Sequence, residues 1–482
     1  MARGARIAVG VTATALVLAA GGYAAADVTD TVPDWLAPWA PGWVTLEPPP
    51  PTPAPFPTPD LTPAPDAAPV VGALDPDAPL PSADAVAALA ASVAGDRRLG
   101  TSTSVVVADV LTGEVLADVA GSVPQTPAST TKLFVAVAAT TALGPDRTLA
   151  TRVVRTGPGA ITLVGGGDML LGAGAGVPEA VNGRAGLADL AAATARALAA
   201  DGVTQVTLAL DDTLFAGPRL APGWEESYIR YVAPISALAV DAGRTSRHPY
   251  AVRHADPALE AARTFAGLLA AEGVAVTGAP VRRAAPADAV EVAAVRSATI
   301  RELVRYTVQE SDNTIAEVLG RLVALERGEP ATFEGATRAV LAEVAAQGVD
   351  VTGTAIRDCS GLHTASVIPA RVLVDLVVRV AQPGRPELLP VAVDLPISGW
   401  QGTLADRLRG GPAWGLVRAK TGSLPGVTSL AGTLLTQEGR LLAFAVLADA
   451  TGASGQDRPR AALDAFVAEL AAVPSAPSGD AG

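Results

Sequence analysis

Between Pro48 and Pro81, fourteen of 34 positions are proline. Proline fixes φ near −65° and carries no backbone N–H, so such a run can form neither a helix interior nor a central strand. It is expected to adopt polyproline II, which at about 3.1 Å per residue reaches roughly 100 Å when fully extended. The run divides the chain into a short N-terminal piece and a folded body that must begin near Pro81. In the short piece, Arg3 and Arg6 precede an uncharged stretch from Ile7 to Ala26. At 1.5 Å per residue that stretch spans about 30 Å, enough to cross a bilayer. Ala24-Ala25-Ala26 before Asp27 also fits a small-residue cleavage site. Residues 1–26 therefore read as a signal peptide or a membrane anchor that crosses the membrane during export. Trp35, Trp39 and Trp43 tip the reading towards an anchor, because indoles favour the membrane interface. Residues 27–82 are the proline-rich linker.

The body is rich enough in apolar residues to build a large core: 49% of the 482 residues are hydrophobic and 17% charged. Net charge is −13 and no basic run occurs, which argues against a nucleic-acid partner. A single cysteine, Cys359, excludes an intramolecular disulfide and a cysteine-based zinc site, and is read as a small buried residue. The histidines His248, His254 and His363 lack metal-ligand spacing, so neither metal nor other cofactor is expected.

Helical patterns are expected over 83–94, from Pro127 to about 142, and over 256–272, 300–309, 314–326, 369–380 and 457–471. A hairpin is expected over 102–119, and strands over 417–421, 427–436 and 440–448. The stretch from about 144 to 244 is dominated by short β-branched runs and glycine turns. Helices first, strands last and a β-rich middle imply an α+β fold with an insertion. The tail 474–482 is disordered by composition.

Arginine supplies nearly every positive charge: of 35 basic residues only Lys132 and Lys420 are lysines. Arginine stays charged in proteins, whereas lysine loses its proton readily when buried, so a surviving lysine is a candidate for proton transfer. Lys132 lies three residues after Ser129, on the same face of a helix whose N-terminus favours developing negative charge. Asn313 lies in Ser311-Asp312-Asn313, and Lys420 opens Lys420-Thr421-Gly422. Each motif alone is a common cap or turn. Ser-x-x-Lys, Ser-Asp-Asn and Lys-Thr-Gly in this order form the motif set of serine acyltransferases that recognise penicillin.

On these motifs, the body from about residue 83 to 472 resembles the DacB-type D-alanyl-D-alanine carboxypeptidases, the low-molecular-mass class C penicillin-binding proteins. Further matching stretches are Gly165-Gly166-Gly167-Asp168, Asp211 to Phe215, Ala233 to Leu238, Ser360-Gly361-Leu362 and Leu395 to Gly399 with Gly402-Thr403-Leu404. The separation of 182 residues from Ser129 to Ser311 is similar to the family's spacing, which holds inserted domain material. The resemblance implies a serine β-lactamase/transpeptidase-like domain, an antiparallel sheet flanked by helices, in parts 83–148 and 246–473, with a β-rich domain inserted over 149–245. It implies acyl transfer from peptidoglycan peptides ending in D-Ala-D-Ala, with β-lactams as inhibitors, in the cell envelope outside the cytoplasm. Ser129 would be the nucleophile, Lys132 its base and Ser311 a proton relay. Asn313, Lys420, Thr421, Gly422 and Ser423 would bind substrate, and the N–H groups of Ser129 and Ser423 would form the oxyanion hole. The charge of Lys420 and burial would together keep Lys132 neutral. Endopeptidase cleavage of cross-links would use the same acyl-enzyme.

The chain departs from the family in carrying Met169 after Asp168, Cys359 within Asp358 to Leu362, and Ala239 to Gly243 without the usual asparagines. The alternatives are a serine β-lactamase and a non-catalytic wall-binding protein with the same fold. The first would need a Glu-x-x-x-Asn segment after the Ser-Asp-Asn motif, and no asparagine follows Asn313. The second would have been favoured by loss of Ser129 or a lysine, and none is lost.

Overall fold

The computed structural model describes residues 74–452 and 455–475. The N-terminal segment 1–26, most of the proline-rich linker and the end of the tail lie outside the described residues. The last part of the linker is fastened to the body. Arg440 donates to the carbonyls of Pro76 and Ala78 while pairing with buried Asp109, and Ser82 N–H bonds to the Pro474 carbonyl. The body therefore takes hold of the chain several residues before 83, and Ser475 pairs with Pro81 at the other end.

The chain enters through helix α1 (Ala83–Ala94), capped by the Ser82 side chain, and forms hairpin β1 (Thr103–Asp109) and β2 (Val115–Val119). Where one helix is expected from Pro127, the structure has a 3₁₀ turn, Ala128–Thr131, running into α2 (Lys132–Leu143). Ala128 has φ 49°, a left-handed value that an α-helix cannot include. The chain then builds a second sheet: β3 (Thr148–Gly157), β4 (Ala160–Val164), β5 (Gln205–Asp211), β6 (Ala275–Val276), β7 (Val281–Arg282) and β8 (Val290–Thr299). Helices α3 (Leu187–Ala200) and α4 (Pro257–Ala271) pack on it, with Leu190, Leu198, Phe265 and Leu269 in its core. Its order is β7-β5-β4-β3-β8 with β6 also on β5. The sheet thus continues to Thr299, past residue 245. The expected β-rich stretch also contains helix α3, which is alanine-rich and carries no β-branched run.

Helices α5 (Ile300–Gln309), α6 (Asn313–Glu326), α7 (Phe333–Ala346) and α8 (Ala370–Ala381) follow, then β9 (Val417–Leu424), β10 (Val427–Leu435), β11 (Leu441–Ala448) and α9 (Asp457–Ala471). The first sheet runs β9-β10-β11-β1-β2, antiparallel throughout. Both of its faces are covered, which explains the unbroken apolar run of β11. Val105, Val107, Phe444 and Val446 join the α1/α9 side of the core, while Val106, Ala108, Ala445 and Leu447 join the side holding α2 and α8. Helix α6 is buried at every position from Thr314 to Ala324, so packing on all sides fixes its N-terminus. Among the described residues no helix is long and apolar enough to cross a membrane.

Candidate active site

Ser129 occupies the 3₁₀ turn and Lys132 opens α2. At three residues per turn, positions i and i+3 eclipse, so the two side chains meet directly. Lys132 Nζ lies 2.8 Å from Ser129 Oγ. It also donates to Asn313 Oδ1 at 2.6 Å and to the Ser360 carbonyl at 2.6 Å. The turn is wedged in place: Ser429 Oγ donates to the Pro127 carbonyl, and a Cβ on Gly361 would sit 1.9 Å from the Ala128 carbonyl oxygen. Glycine at 361 is thus required twice, by this approach and by its φ of +80°.

The second motif sits at the α5–α6 junction. Asp312 caps α6 through the Ile315 N–H, and its other oxygen pairs with Arg244. Ser311 is held at φ 54°, uncommon for a residue with a side chain, and its Oγ meets Lys420 Nζ at 3.0 Å. Asn313 Nδ2 donates to the Tyr231 carbonyl, which leaves its Oδ1 facing Lys132. The third motif lies on edge strand β9. Lys420 Nζ also donates to the Thr421 carbonyl, and Thr421 Oγ1 meets Thr403 Oγ1. A Cβ on Gly422 would collide with Ser429 Oγ at 2.0 Å, so the glycine lets β9 approach the Ser129 turn. Arg460 donates to Ser423 Oγ at 3.3 Å. The expected residues from all three motifs therefore converge on one cleft, with both lysines fully buried and Ser129, Ser311 and Asn313 partly open.

Burial pulls Lys132 down to about 8, against the opposing pull of Asp358, Glu317 and Asp312. Lys420 is lowered well below the ordinary lysine range by burial and then by the charge of Lys132. The expectation that Lys420 is a fixed cation acting on Lys132 therefore changes. The carboxylates gather on the Lys132 side and oppose its loss of a proton, whereas on Lys420 burial and the Lys132 charge both act downward.

Sequence reasoning assigned no role to Glu317, Asp358 or Ser360. Glu317 is fully buried on α6, one turn after Asn313, and accepts from the N–H groups of Cys359 and Ser360. It thereby holds Ser360 from its N–H side, while the carbonyl of the same residue receives Lys132. Burial first, then Asp358, pushes Glu317 up to about 8. Asp358 accepts from Trp224 Nε1 and from the N–H groups of Gly361 and His363. An acidic residue inside the apolar run Thr314 to Leu325 was the available signal. Cys359 is buried, and its thiol is pushed up by burial.

Residues 85–248 and 244–470 match the D-Ala-D-Ala carboxypeptidase 3 (S13) family. The chain is 34% identical to carboxypeptidase DacB of Mycolicibacterium smegmatis, over 97% of both chains. It is 38% identical to carboxypeptidase Rv3627c of Mycobacterium tuberculosis, over 81% of this chain and 84% of that one. In fold it is similar to the crystal structure of penicillin binding protein 4 (dacB) from Haemophilus influenzae, with a TM-score of 0.66 and 22% identity over 79% of this chain and 98% of that one. This chain belongs to the D-Ala-D-Ala carboxypeptidase 3 (S13) family, and it is a serine-type D-Ala-D-Ala carboxypeptidase.

Proposed function

We propose that Ser129 is the nucleophile and Lys132 its base, in a reaction that removes the terminal D-alanine from peptidoglycan stem peptides. The observation that carries this is the set of partners around Lys132 Nζ. A neutral amine has two N–H donors and one lone pair. Asn313 Oδ1 and the Ser360 carbonyl can only accept, so they take both N–H bonds and turn the lone pair to Ser129 Oγ. Ser129 Oγ attacks the penultimate carbonyl carbon, and its proton passes to Lys132. The C–N bond then breaks, and a proton relayed through Ser311 leaves on the amine of D-alanine. Water hydrolyses the ester and restores Ser129.

Strand β9 supplies the docking edge. The Pro396–Ser398 segment covers it at Val417 and Ala419, through Ser398 N–H to the Val417 carbonyl and Ala419 N–H to the Pro396 carbonyl. Alternation along the strand turns the N–H groups of Thr421 and Ser423 to the same side, beyond the covered part. That supports Ser423 N–H, with Ser129 N–H, as the oxyanion hole, and Lys420, Thr421 and Ser423 as the seat of the terminal carboxylate. The same acyl-enzyme forms with β-lactams, and cleavage of cross-links differs only in the leaving amine.

The family acts on the cell wall, outside the cytoplasm. We propose that residues 1–26 anchor the chain and that the proline-rich linker sets its reach into the wall. We also place the inserted domain between the two parts of the transpeptidase-like domain, extending to residue 299. The test of the chemistry is Ser129→Ala. It should abolish D-Ala release and the mass increment from penicillin while leaving the melting temperature within a few degrees. Residual stoichiometric labelling of that variant would overturn the assignment.

A further inference from the structure

A cavity of about 480 Å³ lies between α5 and the segment running into Ile397–Gln401, and none of the proposed chemistry uses it. Its lining includes Arg305, Tyr306, Glu310, Asp394, Gln401 and Arg418. Two neighbours place it. Glu310 directly precedes Ser311. Arg418 lies two residues before Lys420 on β9, on the same face and about 7 Å along the strand. With the scissile carbonyl held near Ser423 and the leaving residue's carboxylate near Lys420 and Thr421, the cavity lies beyond the leaving group.

The covered edge gives this position a consequence. A leaving group of one residue ends at Lys420 and Thr421. A larger one cannot continue along β9, because Pro396–Ser398 already occupies the edge at Val417 and Ala419. It must turn off the strand, and the cavity is the space beside that turn.

The walls combine the apolar Val181, Val393 and Ile397 with four charged side chains. Asp394 is largely buried, and the guanidiniums of Arg301, Arg305 and Arg418 all act on it; Arg301 Nε is 3.9 Å away. Arg418 is half-buried and tied to the Val393 carbonyl, while Arg305 is exposed. In the lining, Arg305 and Arg418 match the carboxylates Asp394 and Glu310 in number, and Arg301 adds a third cation behind Asp394. Such a lining suits a polar peptide segment that carries a free carboxylate together with amide N–H groups.

We propose that this cavity is a leaving-group subsite that receives the amine half of a cross-linked peptide, a carboxylate-bearing stem joined through its side-chain amine to the D-Ala carbonyl. This rests on the reading of Ser129 as nucleophile. The Ser129 Oγ–C bond forms, the cross-linking C–N bond breaks, and the Ser129 proton ends on the departing side-chain amine. Water then hydrolyses the ester as before.

The test compares two substrates on the full chain: a monomeric peptide ending in D-Ala-D-Ala, and a purified cross-linked dimer of the same stem. Arg305→Glu and Asp394→Asn are the variants; the first lies on an exposed position. Arg305→Glu should lower kcat/KM for the dimer about tenfold, the loss of one charge-assisted contact of about 1.4 kcal/mol. D-Ala release from the monomer and penicillin labelling should stay within about twofold. Asp394→Asn should likewise change the dimer-to-monomer ratio rather than both rates together. Equal losses on both substrates, or no loss on the dimer, would overturn the subsite. A wild-type chain that releases D-Ala but leaves the dimer intact would overturn it alone. Failure of D-Ala release and of penicillin labelling together would overturn the underlying assignment of Ser129.

Discussion

Replacing Lys132 by arginine keeps a positive charge and removes a group that can become neutral. With Lys132 lowered to about 8, roughly one-tenth of the amine is neutral at pH 7. Guanidinium, with a pKa above about 12, leaves less than about 10⁻⁵ neutral at that pH, so the population of competent base falls by on the order of 10⁴ or more. Nor is there room to compensate, since Nζ is fully buried and has three partners at 2.6–2.8 Å. The assay is the second-order rate of penicillin acylation between pH 6 and 10. Wild type should gain about tenfold per pH unit well below 8 and level off above about 9. Because Glu317 titrates nearby, that limb belongs to the pair rather than to Lys132 alone. Lys132→Arg should lose on the order of 10⁴ in rate and show no limb. Lys132→Met, which carries no charge to bury, should be equally inactive, and its melting temperature beside that of Lys132→Arg separates chemistry from packing. Lys420→Arg should retain measurable acylation, and Lys420→Ala less. If Lys132→Arg acylates as fast as Lys420→Arg, Lys132 is not the base.

Two further outcomes follow from buried carboxyls. Glu317→Ala leaves the N–H groups of Cys359 and Ser360 without partners and should cost about 2–5 kcal/mol in denaturant unfolding, whereas Glu317→Gln keeps an acceptor and should cost clearly less; equal costs would remove Glu317 as the clamp on that peptide. Asp168 is almost fully buried and raised to about 7, so its contribution to stability is present below pH 4 and is lost as pH climbs to 7. The stability of Asp168→Asn relative to wild type should therefore rise by on the order of 2–4 kcal/mol between pH 4 and 8, and a pH-independent difference would contradict the burial argument.

The site was legible because its lysines are rare and its residues come in short local motifs. In a chain that uses arginine for solvation, Lys132 and Lys420 stand out by count alone. Ser129 and Lys132 meet through a spacing that any helical turn satisfies. The support behind them was not legible. Glu317 reaches Cys359 and Ser360 across more than forty residues of sequence, and only the packing of α6 sets that distance. The extent of the second sheet was hidden for a different reason. Strands β6 and β7 are two residues each, and β8 is solvent-facing over its first half, so neither length nor alternation marks them. Helix α7 went unread despite a capping Thr332, because its many alanines and one glycine blur the apolar stripe.

The two lysines differ in what surrounds them, and that difference bears on substrate recognition. Lys132 lies among Asp358, Glu317 and Asp312. Lys420 is equally buried, yet its hydrogen-bond partners are the neutral oxygens of Ser311 and Thr421, and among the described residues it forms no ion pair. A buried ammonium without an anion gives up its proton readily, the direction found for Lys420. A peptide carboxylate arriving beside it supplies the missing anion and raises its proton affinity. Binding should then take up a proton at any pH between the values of the free and occupied site. Calorimetry on Ser129→Ala, in buffers of different ionisation enthalpy, measures this without turnover. A peptide ending in D-Ala-D-Ala should take up a fraction of a proton that is largest midway between those two values and vanishes outside them. Its C-terminal amide should take up none and bind roughly 10- to 150-fold more weakly, the loss of a charged hydrogen bond of about 1.5–3 kcal/mol. If acid and amide take up protons equally, or neither does at any pH, Lys420 is not the partner of the substrate carboxylate.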